Sequence, residues 1–90
     1  MIIEFDPAKR LTNLEMRGLD FLEASEIFEG PTLTYEDVRQ DYGETRWITV
    51  GLLYHRMIIL VWTERGENCR IISMRKANER ERESFSGRLV

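Results

Sequence analysis

The run from Arg46 to Lys76, RWITVGLLYHRMIILVWTERGENCRIISMRK, decides the fold. Its first part alternates, with Ile48, Val50, Leu52 and Tyr54 on one face of a strand over Arg46–Tyr54. His55-Arg56 predicts a tight reversal. Met57 to Thr63 is apolar at nearly every position, the pattern of a central strand covered on both faces. Arg65-Gly66-Glu67-Asn68 turns the chain again, and Cys69 to Arg75 makes a further strand. Connections this short require neighbouring strands to pair antiparallel.

Outside this run the pattern becomes helical. Ile2–Phe5 is a short strand, after which Asp6-Pro7 opens a helix carrying Ala8, Leu11 and Leu14 at helical spacing. Gly18 closes it in a left-handed position, with Arg17 at the negative end of the helix dipole. Asp20-Phe21-Leu22-Glu23 resembles a capping box and begins a second helix with Phe21, Ala24, Ile27 and Phe28 on its apolar face, stopped by Gly30-Pro31. Thr32–Val38 alternates loosely as a strand, and Asp41–Glu44 is a polar turn. Beyond the quoted run, Ala77 to about Phe85 is charged and helix-favouring. The expected order is β-α-α-β-β-β-β-α: one α+β domain over residues 1–90, mainly antiparallel, with helices packed on the sheet.

Composition narrows the function classes. Thirteen Lys and Arg stand against sixteen Asp and Glu, a net charge of −3, which argues against a uniformly basic nucleic-acid binder. The longest apolar run, Met57–Trp62, is far short of the roughly twenty residues a bilayer-spanning helix needs. The start has no basic stretch leading into an apolar one, so no secretory signal is expected. A single cysteine, Cys69, and a single histidine, His55, provide neither an internal disulfide nor a zinc set, which suits a reducing cytoplasm. No metal and no cofactor is expected. The total charge hides an asymmetry. Residues 1–45 hold eleven acids and four bases, and residues 46–90 hold five acids and nine bases. The halves are thus −7 and +4, a pattern that fits an anion-binding second half.

The candidate chemistry lies in that second half. Arg65, Arg70, Arg75, Lys76, Arg80 and Arg82 cluster at the last strand and helix. Strict alternation puts Arg70, Ile72, Met74 and Lys76 on one strand face and Ile71, Ser73 and Arg75 on the other. A convergent site would then use Arg70, Lys76 and one helix arginine. The alternative is a solvated set paired with Glu79, Glu81 and Glu83. His55 reads as a surface turn residue, Cys69 as a buried apolar one, and Met16, Met57 and Met74 as core filler. Trp47 and Trp62 read as core residues, with base stacking as the alternative.

Several segments, taken in order, resemble the BrnT toxins of type II toxin–antitoxin systems. Phe5-Asp6-Pro7 with Lys9 and Asn13 is similar to that family's F-D-P-x-K-x-x-x-N start. Phe21, Ala24, Ile27, Phe28 and Pro31 resemble its second helix, and Gly43-Glu44-Thr45-Arg46 with Gly51 its G-E-x-R segment. Thr63-Glu64-Arg65, then Arg70-Ile71-Ile72-Ser73-Met74-Arg75-Lys76-Ala77 and Glu81-Arg82, resemble T-E-R followed by R-I-I-S-A-R-K-A. The chain departs from the pattern at three positions. Arg17 replaces a common histidine, Asn78 a usual threonine, and Phe85 a usual aromatic hydroxyl.

The resemblance implies a RelE-like fold and an endoribonuclease that inhibits translation and growth. It also implies neutralisation by a BrnA-like ribbon-helix-helix antitoxin, with operator DNA reached only through that antitoxin. Metal-independent cleavage of RNA uses the ribose 2′-hydroxyl as nucleophile, and guanidinium groups suit the charge that builds on phosphoryl oxygens. On this reading Arg70, Arg75 and Arg82 hold the phosphate and Lys76 serves the leaving oxygen. Lys9, Arg65 and Arg80 are further RNA contacts. The general base stays open between Glu64 and Glu81. The alternatives are a non-catalytic binding module and a co-repressor acting only through its antitoxin.

Overall fold

The computed structural model describes residues 2–89. It is an α+β domain whose five strands form one sheet in the order β1-β5-β4-β3-β2. Along the chain these are β1 (Ile2–Glu4), α1 (Pro7–Arg17), α2 (Ala24–Glu29), β2 (Leu33–Glu36), β3 (Arg46–Leu53), β4 (Arg56–Arg65), β5 (Asn68–Lys76) and α3 (Glu79–Phe85). Two 3₁₀ turns, Phe21–Glu23 and Ser86–Arg88, adjoin α2 and α3. The first takes the place of the opening turn expected for the second helix, because Asp20 caps Leu22 N only two residues on. No helix among the described residues is long and apolar enough to cross a membrane.

The strand pairing departs from an all-antiparallel sheet at one edge. β2, β3, β4 and β5 pair antiparallel, but β1 lies parallel to β5 over Asn68–Arg70, so the sheet is mixed. The long path from β1 through α1, α2 and three strands supplies the crossover that parallel pairing needs. β1 is too short to cover the rest of β5. There α1 substitutes for a strand: the buried Asn13 side chain accepts from Met74 N and donates to Leu19 O, while Arg17 donates to Met74 O at 3.3 Å. A free strand edge is thereby closed by side chains. Asp6 caps α1 through Ala8 N, and Gly18 ends it at φ 69°, where a Cβ would be strained.

β4 is the middle strand, and its residues feed two cores. Ile58 and Leu60 join Phe21, Ala24, Ile27, Ile71 and Met74 beneath α1 and α2. Met57 and Ile59 join Ile48, Val50, Ala77 and Leu89 on the face that α3 partly covers. Full burial of each such aliphatic contributes roughly 1.5–3 kcal/mol. Met16, expected in the core, is 78% exposed, because it lies on the outer side of α1.

The expected alternation along β5 fails at one residue. Val61 pairs with Ser73 but Trp62 pairs with Ile71, so Ile72 is an extra residue in β5. Such a bulge flips the facing of everything before it. Arg70, opposite Thr63, therefore shares a face with Ser73 and Arg75, while Ile71 and Met74 share the face under α1. Lys76 pairs with Ile58 and takes the face opposite Arg75. The expected set of Arg70 and Lys76 on one strand face is thus corrected. The β3–β4 reversal is also shifted: its two turn residues are Tyr54 and His55, both at positive φ.

Helix α2 approaches β3 through Gly51, where an added Cβ would stand 2.5 Å from Ile27 Cγ2 and 3.3 Å from Thr32 Cγ2. Ile27 is fully buried and β-branched, so it has little room to yield. Gly51→Ala is expected to cost about 1–3 kcal/mol by overpacking. A urea unfolding midpoint equal to wild type would contradict this packing.

Candidate functional site

The uncovered part of the α3-side sheet face forms a groove of about 450 Å³. Ile48, Ile59 and Val61 make its apolar floor, and Tyr35, Arg39, Arg75 and Glu81 stand on its walls. Arg17 and Ser73 also line it. Arg75 is its organising group. Its Nη1 and Nη2 donate to Glu81 Oε1 and Oε2 at 2.7 Å each, a two-pronged ion pair between β5 and α3. Arg75 Nε makes no hydrogen bond to protein among the described residues.

Local sequence explains why Glu81 is there. Asn78 caps α3 by accepting from Glu81 N at 2.8 Å, and Glu81 Oε1 accepts from Asn78 N at 2.9 Å. This reciprocal capping box fixes the carboxylate at the first turn of the helix. Bonds from Arg75, partly opposed by burial, hold the Glu81 carboxyl down at about 2. The same pairing raises Arg75 above its ordinary value.

The second wall is a tied loop. Asp37 is buried and accepts from Arg39 Nε and Nη2 at 2.8 and 2.7 Å, from Arg39 N, and from Tyr42 hydroxyl at 3.0 Å. The Arg39 guanidinium, outweighing the penalty of burial, holds the Asp37 carboxyl well below its ordinary range. Arg46 lies 4.1 Å from the Tyr42 ring centroid, which ties the loop to β3. Tyr35 stacks on Phe85 with centroids 6.3 Å apart, joining β2 to α3 across the groove mouth.

The seven basic residues expected at the site do not converge. Arg70 is on Arg75's face but bonds Glu4 at 2.8 Å, beside β1, while Asn68 holds the other oxygen of Glu4. Arg65, at the β4–β5 turn, bonds Glu44 at 3.3 Å. Lys9 lines a separate hollow on α1 with Thr12, Met16 and Ile72. Arg80 is exposed on α3. Lys76 and Arg82 line a notch beside the β3–β4 hairpin, with Arg82 Nη1 donating to Ala77 O at 2.8 Å. The −7 and +4 halves are also partly joined, since Arg46, Arg65 and Arg70 bond carboxylates of the first half.

Sequence reasoning missed Tyr35, Arg39 and Arg17 as groove residues. All three come from the acidic half, and only the β2–β3 pairing and the end of α1 bring them to Arg75. Of the departures, Arg17 lines this groove and Phe85 stacks on its wall residue Tyr35. Of the two carboxylates weighed as base, Glu81 lines the groove, whereas Glu64 pairs with Cys69 and takes the opposite sheet face. Cys69 is buried, and its thiol is pushed up to about 12, chiefly by burial, so it is no nucleophile. Among the described residues no three His, Cys, Asp or Glu side chains group as a metal set.

Glu81 makes stability depend on pH with a definite sign. Its folded pKa lies below its ordinary 4.5, so between pH 4.5 and about 2 the unfolded chain binds more protons. Stability falls as pH falls through that window. Glu81→Gln is expected to show a shallower fall in unfolding midpoint from pH 4.5 to 2.5. An unchanged slope would contradict the Arg75–Glu81 pair.

No curated protein matches the chain. A family model described as the ribonuclease toxin BrnT of type II toxin–antitoxin systems matches residues 5–81, from the opening Phe5 to Glu81 of the groove. That match takes in β5, the start of α3 and both tied walls, and such a family implies an antitoxin partner. With nearly the whole length covered, the chain belongs to the BrnT family of type II ribonuclease toxins.

Proposed function

We propose that this chain is a metal-independent endoribonuclease that binds the scissile phosphate at Arg75. The observation that carries the reading is the Arg75–Glu81 pair in an otherwise apolar-floored groove of a ribonuclease-toxin family member. Guanidinium groups fit phosphate oxygens two-pronged, and Arg75 Nε is unengaged by protein. Arg17, on the same groove, adds a second positive charge.

In the proposed step the ribose 2′-oxygen bonds to the adjacent phosphorus as the bond from phosphorus to the 5′-oxygen breaks. The products are a 2′,3′-cyclic phosphate and a 5′-hydroxyl. Glu81 takes the 2′-hydroxyl proton. With its carboxyl held at about 2 it is a weak base while Arg75 donates to it. A phosphate that draws the Arg75 N–H groups away removes the main cause of that depression, so substrate binding strengthens the base. Tyr35, on the groove wall, delivers a proton from its phenol hydroxyl to the departing 5′-oxygen. Arg70 contacts flanking RNA, as do Lys9, Arg65 and Arg80. The biological reading is arrest of translation and growth, relieved by a BrnA-like ribbon-helix-helix antitoxin through which operator DNA is reached. A RelE-like fold class and a cytoplasmic location belong to the same reading.

A second reading is favoured by the same groove: Arg17 and Phe85 stand where relatives carry histidine and an aromatic hydroxyl, so the site can grip phosphate without cutting. Arg75→Ala, assayed where circular dichroism shows it folded, is expected to unfold at lower urea than wild type through loss of the Glu81 pair and to cleave RNA about 10²–10³-fold more slowly in the presence of chelator. Cleavage at the wild-type rate would overturn the assignment of Arg75. RNA binding without any cleavage by wild type would favour the binding module, and growth arrest on expression alone favours the toxin over a co-repressor.

A further inference from the structure

A second cleft lies where the β3–β4 hairpin meets α3, apart from the Arg75 groove. It has two adjoining compartments. One, of about 250 Å³, is walled by Arg56, Lys76, Ala77 and Arg82. The other, of about 270 Å³, is walled by Leu52, Ser86 and Leu89. His55, Met57 and Arg82 border both. The first is thus cationic and the second apolar, with a histidine ring and a guanidinium at the boundary.

Arg10, Arg39, Arg46, Arg65, Arg70 and Arg75 each pair with a carboxylate. Among the described residues none of Arg56, Lys76 and Arg82 has one within ion-pairing distance. Lys9, Arg17, Arg80 and Arg88 also lack a carboxylate partner among the described residues, but the notch brings three such cations together. Three like charges around one notch repel each other, and an anion relieves that repulsion. Arg82 is held in place through Ala77 O rather than neutralised.

The hairpin is bent to put His55 and Arg56 there. Its two turn residues, Tyr54 and His55, stand at φ 51° and 67°, where two-residue turns ordinarily use Asn and Gly. Backbone held in the left-handed region by residues with side chains is strain of the kind found at ligand sites. Tyr54 lies on the α2 side, against Glu23 and Glu26, which leaves His55 bordering the two compartments.

We propose that this cleft is a nucleotide subsite of the RNA-binding surface. It takes a phosphate between Arg56, Lys76 and Arg82, and an unstacked base in the apolar compartment against His55. An inorganic anion would use only the first compartment and an apolar ligand only the second. A nucleotide uses both, by the pairing of charge and stacking that single-stranded RNA offers. The proposal rests on the ribonuclease reading for its strand: Glu81 lines the Arg75 groove and Arg82, the next residue of α3, borders the notch, so the two sites adjoin along that helix. The subsite would hold the nucleotide next to the cut and set sequence preference there.

The test uses full-length protein and a 2′-O-methyl oligoribonucleotide, which binds but cannot be cleaved. Arg56→Ala is expected to weaken binding about 5- to 10-fold and to lower the salt slope by about one phosphate contact. His55→Gly relieves the turn, so folding is preserved, and is expected to shift the preferred base beside the cut. Wild-type affinity and salt slope in Arg56→Ala, or unaltered preference in His55→Gly, would overturn the subsite. If wild type binds the oligomer with these Arg56 effects yet cleaves no RNA, the ribonuclease reading fails and the subsite stands. Absence of oligomer binding by wild type overturns the subsite.

Discussion

The extra residue at Ile72 is the constraint on which the site depends. β5 has to fill the core under α1 with Cys69, Ile71 and Met74, and to present polar groups on the other face. Strict alternation cannot do both, because Ile71 and Met74 are three apart. The bulge resolves the conflict by pairing Trp62 with Ile71 and Val61 with Ser73. Arg70, Ser73 and Arg75 then share the open face, and Arg75 faces the groove across from β2.

From that placement the rest of the groove follows. Arg75 reaches Glu81, which the capping box has already fixed at the start of α3, so strand and helix hold each other through one ion pair. The Asp37–Arg39–Tyr42 cluster holds the opposite wall without help from α3. Both walls are built from charges paired within the protein, so each charged group of the walls is held in place by its own partner. Such preorganised donors can favour a developing phosphoryl charge, since they need not reorient as it forms.

The α+β class and the strand run were legible because local signals agreed: alternation in Arg46–Tyr54, apolarity on both faces in Met57–Thr63, and short turns between them. The caps at Asp6 and Gly18 were legible for the same reason, being properties of a few adjacent residues. The parallel pairing of β1 was not, because it joins residues more than sixty apart and no local pattern announces it. The bulge escaped as well, since Ile71-Ile72 reads equally well with either residue inward. Arg75 and the basic cluster were visible from composition. Glu81's place at Arg75, by contrast, depends on where α3 begins, and Tyr35 reaches the groove only through the pairing of β2 with β3. Charge splitting by halves misled in part, because Arg70 and Glu4 neutralise each other across the whole chain.

On the proposed reading, the groove around Arg75 receives an RNA phosphate in exchange for part of the Glu81 bond. The most direct measurement is a nitrogen-15 spectrum of the arginine side chains during titration with a 2′-O-methyl oligoribonucleotide. The Arg75 Nε resonance is expected to move most among those of Arg75, Arg70 and Arg65, and the Glu81 carboxyl to titrate at higher pH in the complex. An Arg75 resonance that stays in place while the oligomer binds would contradict it.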